Sequence, residues 1–155
     1  MDALRFLKHC HRKLSRLFKR SELIETFERK KRIFQKIKKA LAAHSRIEQG
    51  ILYPALENQH ELRSLLLESY KKHKHVEVLV RGIDELVSEN KPCDSELKIL
   101  EETVTRSNDE EEKKIFPRVR ELLDDRTLTS LARQFETAAG KRVRPYTLES
   151  SRMSH

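Results

Sequence analysis

The stretch His44–Pro54, HSRIEQGILYP, carries two strong ligand types, His44 and Glu48, four residues apart. On an α-helix that spacing stacks both side chains on one face, about one turn apart. The same face runs back through Leu41, Ile37, Phe34 and Phe27 and forward through Ile51, Leu52 and Ala55, so an imidazole and a carboxylate interrupt an apolar stripe. A buried carboxylate is costly unless something pairs with it. A metal ion is one such partner, and a cation or a hydrogen-bond donor is another. The other helices decide between them, by the groups they bring to the same depth.

With 155 residues the chain is long enough for one domain with its own core. Only three glycines and four prolines, with no alternating β-branched runs, predict an all-α protein without strands. Cys10 and Cys93 cannot make a disulfide framework, and no signal peptide or long apolar span opens the chain, so a soluble protein in a reducing cytoplasm, away from membranes, is expected. The net charge of +8 suggests nucleic acid at first. Charged residues nevertheless make up 37% of the chain and both signs are interspersed, which fits a solvated bundle exterior better.

Four amphipathic segments follow in order. Leu4, Leu7, Leu14 and Phe18 share a stripe with His11 in a first helix capped by Asp2, and the break Lys19-Arg20-Ser21 offers Ser21 as the next cap. The second helix is expected over about Glu22–Glu57, winding down at Pro54. The third, about Gln59–Ser88, aligns Leu62, Leu66, Ser69, Val76, Val80, Ile83 and Val87 with His73, leaving His75 off the seam. After the loop Glu89–Cys93, Asp94 or Ser95 caps a fourth helix running to about Leu123, whose stripe Leu97, Leu100, Val104, Ser107, Glu111, Ile115, Val119 and Leu122 is again polar in the middle. Leu128, Leu131 and Phe135 predict a short fifth helix on the end of the bundle, and residues 140–155 read as a flexible basic tail.

Short links favour an up-down four-helix bundle over residues 1–139, in which His11, His44 with Glu48, His73 and Glu111 lie at compatible depths. A repeat ties the two halves together. Glu48 stands six residues before Pro54 and Glu111 six before Pro117, each proline preceded by an aromatic, Tyr53 or Phe116.

From the first-helix pattern Asp2-Ala3-Leu4…His11…Leu17-Phe18, through His44-x-x-x-Glu48 with Leu52-Tyr53-Pro54 and the His73 region, to Glu111 with Ile115-Phe116-Pro117, the chain resembles the hemerythrin-like HHE cation-binding family over about residues 2 to 138. The resemblance implies a non-haem iron site, usually di-iron, with histidines as terminal ligands and Glu48 and Glu111 bridging. The candidate metal ligands are therefore His11, His44, Glu48, His73 and Glu111. Imidazole with carboxylate suits iron, with manganese or zinc as alternatives. One departure stands out: four residues before Glu111, where the family has a histidine, this chain has Ser107. That predicts an asymmetric pair, a single metal or a lost site, with water, Asp109 or Glu110 as substitutes.

Tyr53 and Phe116 read chiefly as packing at the helix ends, with a ligand-orienting role open to Tyr53. Cys10 points away from His11 as a small apolar residue. His9, His60, His75 and His155 read as surface residues, and Asp109–Glu112 as a solvated face with Glu111 alone turned inward. The expected function is binding or sensing of oxygen, nitric oxide or peroxide at iron, or iron handling. No catalytic constellation stands out beyond the metal site. The rival reading is a bundle whose site has degenerated and which serves as a protein or nucleic-acid interaction module.

Overall fold

The computed structural model describes residues 1–140, and the basic segment expected beyond them lies outside the described residues. Seven α-helical segments are joined by short links, with no strand among the described residues: α1 (Ala3–Glu22), α2 (Phe27–Ile47), α3 (Tyr53–Ala55), α4 (Arg63–Ser88), α5 (Asp94–Glu110), α6 (Phe116–Leu122) and α7 (Asp125–Gly140). No helix among the described residues is long and apolar enough to cross a membrane.

The helix starts follow from local chemistry. Asp2 caps α1 by accepting from the Arg5 amide at 3.0 Å, and Asp124 receives the Thr127 amide at 2.8 Å just ahead of α7. Ser21 does not cap the second helix as expected. It lies inside α1, its hydroxyl donating to the Phe18 carbonyl at 2.6 Å, and α2 begins only at Phe27. A hydroxyl turned back onto its own helix is a common competitor to capping, and here it keeps α1 going for another turn.

Contacts between α1 and α2, α2 and α4, α4 and α5, and α5 and α1 close a four-membered ring. The bundle is therefore square in section, as antiparallel neighbours with short connections require. α7 lies against α1 and α2, with Phe135 tilted on Phe6 at a centroid distance of 5.6 Å. A partly buried ion pair, Lys38 to Asp84 at 2.5 Å, ties α2 to α4.

The core is split into two apolar clusters. Leu14, Phe18, Phe34, Ile37, Val80, Ile83 and Leu100 belong to one; Leu4, Leu7, Leu52, Leu62, Val119 and Phe135 belong to the other. On each long helix the break falls at the same depth: at His11 between Leu7 and Leu14, at His44 between Ala42 and Ile47, at Ser69 and His73 between Leu66 and Val76, and at Ser107 and Glu111 between Val104 and Ile115. Hydrophobic burial holds the bundle together above and below a polar layer that contributes none of that stabilisation.

Two helices are widened within this layer. Glu48–Leu52 and Glu111–Ile115 are π turns, in which the Tyr53 amide bonds back to Glu48 and the Phe116 amide to Glu111, five residues away instead of four. Both turns lead into a proline at the start of the next helical segment, Pro54 in α3 and Pro117 in α6. A proline ring clashes with the carbonyl four residues before it, Gly50 or Lys113 here, and the wider turn moves that carbonyl out of the way.

The extra residue shifts the register. The second helix was expected to bury Ile51, Leu52 and Ala55; instead Leu52, Tyr53 and Leu56 are buried, Ile51 is half-buried and Ala55 is exposed. In the second half Ile115, Phe116 and Val119 are the matching buried trio. The repeat visible in the sequence is thus a repeat of backbone shape.

Candidate metal centre

The polar layer gathers the five side chains singled out in the sequence. His11, His44, Glu48 and Glu111 are all buried and offer ligand-type atoms within 4.8 Å of one another. His11 Nε2 lies 3.2 Å from His44 Nε2 and 3.2 Å from Glu111 Oε1, and His44 Nε2 is 3.3 Å from Glu48 Oε1. His73 is half-buried and joins through Glu48, its Nε2 3.0 Å from Oε1. Glu48 and Glu111 therefore stand between His11 and His44 on one side and His73 on the other.

The halves of the molecule exchange partners across this layer. His11 of the first helix pair meets Glu111 of the second and stacks on Phe116 at a centroid distance of 5.9 Å. His73 of the second pair meets Glu48 of the first and lies edge-on to Tyr53 at 5.8 Å. The correspondence fails at one place: His44 has as its counterpart Ser107, which leaves a small cavity of about 20 Å³ beside His73, Glu111, Tyr53 and Ser69.

Three residues outside the candidate ligand set lie in the same layer. Glu112, expected on a solvated face, accepts a hydrogen bond from His11 Nδ1 at 2.6 Å, because the π turn brings the residue after Glu111 round to α1. Tyr53, read chiefly as packing, is fully buried, with its hydroxyl 3.1 Å from Glu111 Oε2 and 3.1 Å from His73 Nε2. Ser69, a full turn before His73, is buried on the cavity wall. Asp109 and Glu110 do not stand in for the histidine absent at Ser107: Asp109 is exposed and Glu110 pairs with Lys72. Cys10 is half-buried and outside the cluster, and His9, His60 and His75 are exposed. His155 lies outside the described residues.

The electrostatics are those of a site short of positive charge. Burial, then the charge of Glu111, holds the Glu48 carboxyl well above the usual carboxylate range. Burial pushes Glu111 the same way, but hydrogen bonds from Glu48 and His11 outweigh it and hold this carboxyl low, so the pair shares one proton. Burial lowers His44 to about 3 and His73 to about 4, leaving both imidazoles neutral with a lone pair free. Burial also opposes a charged His11, yet its bonds to Glu111 and Glu112 raise it. Two buried carboxylate oxygens, Glu48 Oε2 and Glu111 Oε1, accept no well-aligned hydrogen bond, although His11 Nε2 stands 3.2 Å from the second as an ion-pair partner. Buried oxygens without such a bond cost about 1–3 kcal/mol each. A cation among these four residues would satisfy both, and neutral imidazole with carboxylate is a donor set for iron, manganese or zinc.

The Hemerythrin HHE cation binding domain model matches residues 2–119, a span that includes all the residues of the His/Glu cluster and His73. The chain belongs to the hemerythrin HHE cation-binding family. No curated protein and no solved structure gives a significant match. Membership of this family and the buried His/Glu cluster make the chain a metal-binding protein.

Within this hemerythrin-like site Glu112 holds a proton on His11 Nδ1, so Nε2 is the ring nitrogen turned to the cluster, the arrangement by which a carboxylate orients an imidazole toward a metal. Glu112→Ala is therefore expected to weaken metal binding by about 10–100-fold while leaving the helical content unchanged. Competition against a chromophoric chelator, with circular dichroism as the control, reads both quantities.

Proposed function

We propose that this protein holds non-haem iron between His11, His44, Glu48 and Glu111, and that the iron binds a small ligand such as oxygen, nitric oxide or peroxide. The observation that carries this reading is the pair of buried carboxylate oxygens without a well-aligned hydrogen bond within the His/Glu cluster. The iron supplies Lewis acidity and one-electron chemistry. The chain's own residues do the rest. His44 presents neutral nitrogen, His11 presents Nε2 once its proton is given up, Glu48 and Glu111 supply anionic oxygen, and the apolar clusters above and below exclude bulk water. The cavity at Ser107 has room for a water-sized ligand, which argues for a diatomic or peroxide over an organic substrate.

Anaerobic loading with ferrous iron, followed by elemental analysis and titration with nitric oxide or azide, tests the proposal. Retention of at least one iron per chain, with a visible spectrum that changes on adding the small ligand, is expected. A protein that keeps no iron under these conditions would instead favour the degenerate interaction module.

A pH dependence follows from the shared proton. Without metal Glu48 keeps its proton above the usual carboxylate range, whereas a metal-bound Glu48 is ionised. Metal binding thus expels this proton, and affinity must rise with pH between the normal carboxylate value and the raised one. His44 and His73 are already neutral there and add no slope. His11, raised by its bonds to Glu111 and Glu112, must also give up a proton to bind metal, so the expected change is about tenfold per pH unit for each proton released, up to two. Calorimetry in buffers of different ionisation enthalpy counts these protons directly.

A further inference from the structure

We propose that the Tyr53 phenolate is itself a metal ligand, completing with His73, Glu48 and Glu111 a second iron position in place of the nitrogen that Ser107 withholds. The inference rests on the iron reading above and adds to it a ligand type absent from the His/Glu cluster.

The geometry separates the layer into two sets of donors that share the carboxylates. Glu111 Oε1 faces His11 Nε2 at 3.2 Å, while its Oε2 faces the Tyr53 hydroxyl at 3.1 Å. The same hydroxyl is 3.1 Å from His73 Nε2, which is in turn 3.0 Å from Glu48 Oε1. Donors bonded to a first-row metal ion at about 2.0–2.2 Å sit roughly 3 Å apart around it. Glu111 to Tyr53, Tyr53 to His73 and His73 to Glu48 form a run of donors with that spacing, without any contribution from residue 107.

The backbone explains why a side chain next to a proline reaches the layer. The π turn at Glu48–Leu52 rotates Tyr53 inward by one residue, and its ring is held edge-on against Tyr70 at 5.0 Å and His73 at 5.8 Å. Phe116, its counterpart in the second half, is turned inward by the same device but has no hydroxyl, and it lies against His11 on the side where His44 is present. An oxygen-bearing ring from the first half thus lies on the side of the layer where Ser107 leaves out an imidazole. Phenolate is a hard anionic oxygen donor and favours ferric iron. On ligation the phenol O–H bond breaks, the oxygen–iron bond forms, and the proton leaves to solvent through the adjoining cavity; no electron is transferred.

The test uses the full chain, loaded with ferrous iron and oxidised in air. Elemental analysis is expected to give two irons per chain, and the visible spectrum a phenolate-to-ferric charge-transfer band that enhances tyrosine ring modes in resonance Raman scattering. Tyr53→Phe should remove the band and one of the two irons, while Ser107→Ala keeps both. The Raman signature of the unaltered protein stands even if Tyr53→Phe fails to fold. Two irons without phenolate modes, a band that survives Tyr53→Phe, or a single iron would overturn the Tyr53 assignment and leave the iron reading intact. Failure to bind any iron would overturn both.

Discussion

Glu48→Ala is expected to lower metal affinity by more than about 100-fold, beyond the range found when only an orienting partner is lost. Glu48 faces both sides of the layer, with Oε1 3.3 Å from His44 Nε2 and 3.0 Å from His73 Nε2, so its removal takes an anionic donor from each side. The metal-free fold should suffer much less. Its carboxylate is fully buried with Oε2 unpartnered, and deleting an unsatisfied buried group offsets part of the small cavity that alanine leaves. The two effects separate in a thermal melt. Metal at a thousandfold excess over its dissociation constant adds about 4 kcal/mol, equivalent to roughly 8–16 °C in a domain of this size. Unaltered protein should show that increment and Glu48→Ala should not, while the metal-free melts stay close. A variant that keeps the increment would remove Glu48 from the site.

The seams of the long helices were legible in the sequence because they obey one period. Every apolar position assigned to the third seam is buried, Leu62 in the turn just before α4 and Leu66 to Val87 within it, and His73 and His75 fall inward and outward as their spacing requires. The errors begin where the period changes. A stripe extended past Glu48 at 3.6 residues per turn selects Ala55, whereas the π turn delivers Tyr53 and Leu56. For the same reason Glu112 looked like part of a charged face and is the partner of His11. A signal for both errors was present: the glutamate-to-proline interval repeats in both halves, and a mid-helix proline demands relief of the carbonyl four residues back. The first break was misplaced for a different reason, since Ser21 can bond forward as a cap or back to Phe18, and sequence alone does not rank the two.

The asymmetry between Ser107 and His44 gives the second large effect. Ser107→His places an imidazole four residues before Glu111, the relation His44 has to Glu48, and the shared backbone shape of the two halves aims it at His73 and Glu111 across the cavity. An imidazole is larger than the serine hydroxyl it replaces, so in the metal-free variant it crowds Tyr53, Ser69 or Lys72 around the cavity. Overpacking of this kind costs about 1–3 kcal/mol. With metal present the new nitrogen becomes a ligand, and affinity on the His73 side is expected to rise by tenfold or more, about 1.4 kcal/mol at the least. Stability is therefore expected to fall without metal and to recover with it. Melting curves with and without iron, alongside a chelator competition, check both signs in one preparation. A loss of stability in both states would mean that the imidazole does not reach the metal. A gain in both would mean that Ser107 is a packing defect unconnected with the site.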